Sequence, residues 1–290
     1  MTLFLDLRLH AVGGELSRVV NLYVFTAPNQ YVTTPKQTFL DAVRGKNVLV
    51  GTHGFNVDRA HGIASLSNWG SLLQLSPQDV FIGLLWPGDS SFAHGLDYGA
   101  EPKLADHAGE LLGPFLDNLL GDTASVSFAS HSLGARVVLQ TAKNMNMKPR
   151  RLILMAGAID DTCLNVEFKD VADEAGEISV LSSLNDDVLK LAFPLGNFLG
   201  GILDQGHPWW HGALGRTGPA KPRPSNLRAP YEIPSNWDYG HHHYLLDDPL
   251  STVPIPVPAD VPPNGTDKPT GGADGWQETW SSAFVSTRFR

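Results

Sequence analysis

The chain has 290 residues, long for one core yet within reach of a single large open α/β sheet carrying insertions. Hydrophobic residues at 42% and charged ones at 18% exclude wholesale disorder, and a formal charge of −9 excludes a phosphate backbone as partner, which needs clustered Lys and Arg; nucleic acid is not expected. Cys163 is the single cysteine, so an intrachain disulfide and any Cys-based metal site are excluded.

In chain order, Leu3 to Arg8 and Val19 to Thr26 are strand-like and are expected to add antiparallel strands at one sheet edge. Asp6 and Arg8 lie inside the first apolar stretch rather than before it, so no signal peptide is read there, and no apolar run approaches the roughly 20 residues of a transmembrane helix. A cytoplasmic protein is the expectation. The apolar runs Asn47 to Gly51, Val80 to Leu85, Ser125 to Ala129, Leu152 to Ala156 and Ile178 to Ser182 read as buried parallel strands. Between the second and third, Leu104, Ala108, Leu111, Leu112, Phe115 and Leu119 recur at helical spacing, and a further helix is expected from Leu133 towards Asn144. The alternation predicts an α/β fold with a mostly parallel central sheet and helices on both faces.

From Phe193 to Tyr239 the pattern dissolves into Gly, Pro and aromatics, and Val253 to Lys268 is Pro-rich. The expected organisation is a catalytic domain over 1–250 with lid-like insertions near 88–100 and 193–240, then a Pro-rich C-terminal extension over 251–290. The final Trp276 to Arg290 is expected either to dock on the body or to stay loose.

Two motifs carry chemistry. The strand Ser125 to Ala129 runs into Ser130-His131-Ser132-Leu133-Gly134 and then a helix, the context of a nucleophile elbow. Such a turn lifts Ser132 above the carboxyl end of the sheet, and its flanking positions must be small; here they are Ser130, where Gly is commoner, and Gly134. The Leu133 amide at the helix start faces developing negative charge. The plainer alternative makes Ser130 and Ser132 turn and N-cap residues. Upstream, Val48 to Val50 ends in Gly51-Thr52-His53-Gly54-Phe55-Asn56, a strand entering a His-Gly loop that offers the Phe55 amide as a second oxyanion donor.

A serine needs a base, and the base needs a carboxylate; in this arrangement the chain order is Ser, acid, His. Asp186 and Asp187 follow the strand Ile178 to Ser182, with Asp160 and Asp161 after the preceding strand as lesser options. The consecutive His241, His242 and His243 lie downstream as the order requires. Adjacent side chains point apart and no cysteine accompanies them, which disfavours a metal site. His131 cannot be the base of its own neighbour in such a turn and reads as structural, as does His53.

The motifs His53-Gly54-Phe55-Asn56-Val57, Trp86-Pro87 closing a strand, and Ser130 to Gly134 together resemble the bacterial α/β-hydrolase family called domain of unknown function 900, related to lipases and esterases. The resemblance spans roughly Val48 to Pro249 by pattern. It implies the α/β-hydrolase fold and its chemistry. It favours Asp186 as the acid, through Asn-Asp, two residues, then Leu, and His242 as the base, through His-x-Tyr before a loop with Pro249; Asp187, His241 and His243 are the alternatives. The expected function is ester cleavage through an acyl-enzyme without metal or organic cofactor, on a small-molecule ester. Acyl transfer, or lactone or amide hydrolysis by the same residues, is the neighbouring alternative, and a non-catalytic binding protein of the same fold is the other.

Overall fold

A computed structural model of the chain describes residues 1–26, 30–89, 101–191, 212–235, 239–244 and 276–290. Its strands are built on period-two alternation, which sends successive side chains to opposite faces. In β1 (Thr2–Arg8), Leu3, Leu5 and Leu7 enter one core and Phe4 the other; in β4 (Asn47–Thr52), Val48 and Val50 oppose Leu49. β6 (Ser125–His131) sends Val126 and Phe128 to the first core and Ala129 to the second, and β7 (Arg151–Met155) divides Leu152 and Leu154 from Ile153 and Met155. Strands apolar on both faces need cover on both, and helices supply it.

The described strands form one nine-stranded sheet in the order β3-β2-β1-β5-β4-β6-β7-β8-β9, where β2 is Leu16–Phe25, β3 Tyr31–Thr33, β5 Asp79–Leu85, β8 Glu177–Leu181 and β9 Leu227–Arg228. The expected parallel strands and both expected helices are present, the latter as α3 (Glu101–Leu119) and α4 (Gly134–Lys143). One expectation is met in part. β2 pairs antiparallel with both β1 and β3 at the edge, but β1 itself runs parallel to β5, pairing Leu3 with Ile82 through Asp6 with Leu85. The carboxyl end of β1, with Asp6 and Arg8, therefore lies at the same sheet edge as those of the central strands.

From β4 the chain goes to β5 on one side, then crosses to β6 on the other. Ligand sites of open α/β sheets lie at such a reversal, outside the carboxyl ends of the strands. α1 (Lys36–Val43), α3, α4 and α5 (Lys169–Glu174) cover the first core. The second core is covered by α2 (Arg59–Leu72) and the C-terminal helix Trp276–Phe289, through Leu66, Trp69, Phe284, Val285 and Phe289. That helix is docked on the body: the Gln74 amide donates to Ser286 Oγ at 2.9 Å, and Arg150 Nη2 donates to the Arg290 carbonyl at 2.7 Å. No described helix is long and apolar enough to cross a membrane.

α2 carries only a narrow apolar stripe, Ile63, Leu66 and Trp69, because Gly62 and Ser65 share its buried side, and its start is set by a cap. Asp58 Oδ1 accepts the His61 amide at 2.9 Å, and Oδ2 lies 2.8 Å from His61 Nδ1. Burial pushes the Asp58 carboxyl up, but the bonds from the His61 amide and ring outweigh it and leave it below the usual range. A carboxylate depressed by folding contributes stability that is complete above its ordinary value, about 3.9, and is lost as pH falls through the folded value. Asp58→Ala is expected to cost about 1 kcal/mol at neutral pH, with the gap to the parent chain closing in acid; urea unfolding at neutral pH and at about pH 3 checks both.

Candidate active site

Ladder pairing carries β6 to the point where it turns. The Ser132 amide donates to the Met155 carbonyl at 3.0 Å, then the backbone swings to φ +54° at Ser132, and the Ala135 and Ala158 amides both close on the Ser132 carbonyl at 3.1 Å. A left-handed serine between strand and helix presents its hydroxyl above the strand end, as the elbow motif predicts. The neighbouring positions show why they are small. A Cβ on Gly134 would lie 2.5 Å from the His53 carbonyl oxygen, and Ser130 is fully buried with no hydroxyl partner among the described residues, so its size suits the position.

His241 Nε2 lies 2.9 Å from Ser132 Oγ, and His241 Nδ1 lies 2.7 Å from Asp186 Oδ2. All three side chains are buried. A carboxylate only accepts, so Nδ1 carries the proton, which leaves Nε2 to accept from the serine hydroxyl. Asp186 is held at its other oxygen by the Leu189 amide at 2.8 Å, as the cap of the helical turn 187–191, so its carboxylate cannot swing away from the ring without losing that bond.

The sequence-predicted residues are therefore partly brought together. Ser132 meets Asp186 through His241, not through His242, and the expectation of His242 is corrected. The three histidines form a 3₁₀ turn, His241–His243, with three residues per turn, so their rings point in three directions. His242 is exposed, and His243 folds back on its own turn, accepting the Gly240 amide at Nδ1 (2.9 Å) and standing edge-on to Tyr239 at 5.4 Å. A signal was present: residues i and i+3 of a 3₁₀ turn eclipse, so the buried Tyr244 shares its face with His241. Asp187 points outward, 79% exposed and 3.8 Å from Lys190. Asp160 caps its own turn at the Thr162 amide, and Asp161 accepts from the Gly212 amide and from Thr217 Oγ1.

The His-Gly loop runs against the elbow. A Cβ on Gly54 would lie 2.6 Å from Ser132 Cβ and 3.2 Å from Oγ, so the loop passes as close to the serine as a backbone can. Phe55, next along this loop, is half-buried against the first core, and Leu133, next after Ser132, has φ −65°. Asn56 follows at φ +60° and its amide donates to the Gly88 carbonyl at 2.7 Å. His53 is turned away from the serine and locked: Trp86 Nε1 donates to its carbonyl at 3.1 Å, its Nδ1 donates to the Gly54 carbonyl at 2.9 Å, and the indole stacks on its ring. Gly54→Ala is expected to cut the reactivity of Ser132 towards an organophosphonate by on the order of 10²-fold, since displacement of about 1 Å suffices for that, while circular dichroism shows the fold retained.

Beneath the loops lies a buried cation that sequence reading did not single out for the site. Arg8 Nη1 donates to the Val57 carbonyl at 2.9 Å and to the Trp86 carbonyl at 3.0 Å, and Nη2 pairs with Asp89, whose other oxygen accepts the Gly13 amide. The loops after β4 and β5 are thereby tied to the end of β1. The only sign in the sequence was a charged residue inside an apolar strand. Breaking a buried pair strands its partner, so Arg8→Met is expected to cost about 3–5 kcal/mol in chemical denaturation, and adding Asp89→Leu should return a measurable part of it.

Burial, with Asp160 and Glu167 nearby, holds the Cys163 thiol well above its ordinary value. The lid candidate near 88–100 falls mainly outside the described residues, as do 193–211 and 236–238 of the candidate near 193–240 and the Pro-rich run from Val253 to Lys268.

The family model described as "Alpha/beta hydrolase of unknown function (DUF900)" matches residues 31–204, more than half of the chain, and the chain belongs to that family. Its mostly parallel sheet with helices on both faces is the α/β-hydrolase fold. Among solved structures, the chain is similar to a predicted CIB-like hydrolase from Thermoplasma acidophilum, with 15% identity over 78% of this chain and 84% of that one and a TM-score of 0.38. It is also similar to MenH from S. aureus, with 21% identity over 57% of this chain and 54% of that one and a TM-score of 0.24. No curated protein matches.

Proposed function

We propose that this chain is a serine hydrolase that cleaves carboxylic esters through an acyl-enzyme. One observation carries the reading: the hydrogen-bonded chain from Ser132 Oγ through His241 to Asp186, at the carboxyl end of a parallel sheet. His241 Nε2 takes the Ser132 proton as Oγ attacks the ester carbonyl carbon. Asp186 holds the ring in its tautomer and stabilises the imidazolium, and the Phe55 and Leu133 amides receive the oxyanion. The bond to the alcohol oxygen breaks, His241 returns the proton to the leaving alcohol, and water repeats the sequence on the acyl-enzyme to release the acid. Each oxyanion donor is asked for about 3 kcal/mol of the barrier.

The same residues serve acyl transfer to an alcohol, or lactone and amide opening, which differ only in the acceptor or leaving group. The chemistry calls for no cofactor. The test is turnover of aryl esters of graded acyl length together with covalent labelling by an organophosphonate. Ser132→Ala is expected to abolish both, and His241→Ala to lower turnover by on the order of 10⁴-fold or more, as for members of a unit that act together. His242→Ala should stay within about threefold of the parent chain, since surface substitutions usually change little. Labelling without turnover would move the substrate away from simple esters. Neither labelling nor turnover in a folded sample would leave a non-catalytic binding protein.

A further inference from the structure

His241 sits in a three-residue turn rather than in a regular element, so what holds its main chain matters to where its ring lies. His131 is the last residue of β6 and the immediate neighbour of Ser132. Its Nε2 is 2.8 Å from the His241 carbonyl oxygen. A carbonyl only accepts, so Nε2 carries the proton and donates. The ring is buried, 4.9 Å from the His241 ring and 6.0 Å from that of Tyr244, and a Cβ on Gly54 would come within 3.3 Å of its Nδ1. It thus touches the strand of the nucleophile, the turn of the base and the loop beside the serine.

We propose that His131 is a positioning residue, whose Nε2–H bond to the His241 main chain sets the spacing between Ser132 and its base. This rests on the serine-hydrolase reading above. Two successive residues at one strand end then hold the same histidine at two points, Ser132 at its ring and His131 at its backbone. The first hold is lost during the reaction: once Oγ is acylated it has no proton to donate to Nε2. The His131 bond persists, so His241 is still in register when water must be activated. The tether therefore matters in both halves of the cycle, and more in the second.

The experiment compares His131→Phe and His131→Leu, which fill space without a donor, with His131→Gln, whose amide restores an N–H near the position of Nε2. Phosphonate labelling, kcat, KM and the pre-steady-state burst on an aryl ester are read for each, with thermal unfolding as the control for folding. A lost positioning hydrogen bond is expected to lower kcat by about tenfold or more and to lower KM with it as acyl-enzyme accumulates, and Gln is expected to recover most of the loss. If His131→Phe does not fold, His131→Leu decides. Parent-like kcat in the Phe or Leu variant, or equal loss in Leu and Gln at parent-like thermal stability, would overturn the tether and leave the serine-hydrolase reading standing. A parent chain that neither labels at Ser132 nor turns over would overturn both.

Discussion

The left-handed turn at Ser132 is the constraint on which the rest of the site depends. A non-glycine residue at that φ costs about 1–2 kcal/mol, and it persists because its amide is fixed to Met155 and its carbonyl takes two further amides. Once the turn is made, the space around it is no longer free. Gly134 must lie flush against the His53 carbonyl, and Gly54 must pass the serine with no side chain. Elbow and His-Gly loop are therefore one construction, although some eighty residues of sequence separate them.

The second layer of that construction is electrostatic. Arg8 reaches from the end of β1 to the carbonyls of Val57 and Trp86 and to Asp89, while Arg59 Nε pairs with the buried Asp6 at 2.9 Å. Burial pushes the Asp6 carboxyl above its usual range, against the pull of the Arg8 amide and of both guanidinium groups, and the Tyr31 phenol that donates to it is pushed up as well. Buried charges are tolerated when paired and further hydrogen-bonded, and removing one partner is costly. β1 thus does more than extend the sheet: its end anchors the loops beside Ser132. This follows from β1 running parallel to β5, which turns its charged end towards the site.

Much of this architecture was legible because it depends on local rules. Alternating or continuous apolar runs marked β4 to β8, and spaced leucines marked α3. Ser132 and the His-Gly loop were legible because a tight strand-to-helix turn and a close backbone approach admit few residue types. α2 was not, because Gly62 and Ser65 on its buried side leave only a narrow apolar stripe. Nor was Arg8, since a buried arginine is recognised by the carbonyls it meets, and those of Val57 and Trp86 come from two distant segments.

The histidines mark the boundary between the two kinds of information. Three adjacent imidazoles in the order after serine and acid are chemistry written in the chain, and any of them satisfies that order. Which ring meets Ser132 depends on the phase of a 3₁₀ turn, and that phase is set by Tyr244 and Tyr239 entering the second core and by the carbonyl of His241 reaching His131. Residue types, element periods and turn requirements act over a few positions and can be read along the chain. The choice of His241 over His242, of Asp186 over Asp187, and the parallel sense of β1 arise from contacts between segments distant in sequence, where burial on one side and water on the other separate residues that are chemically the same.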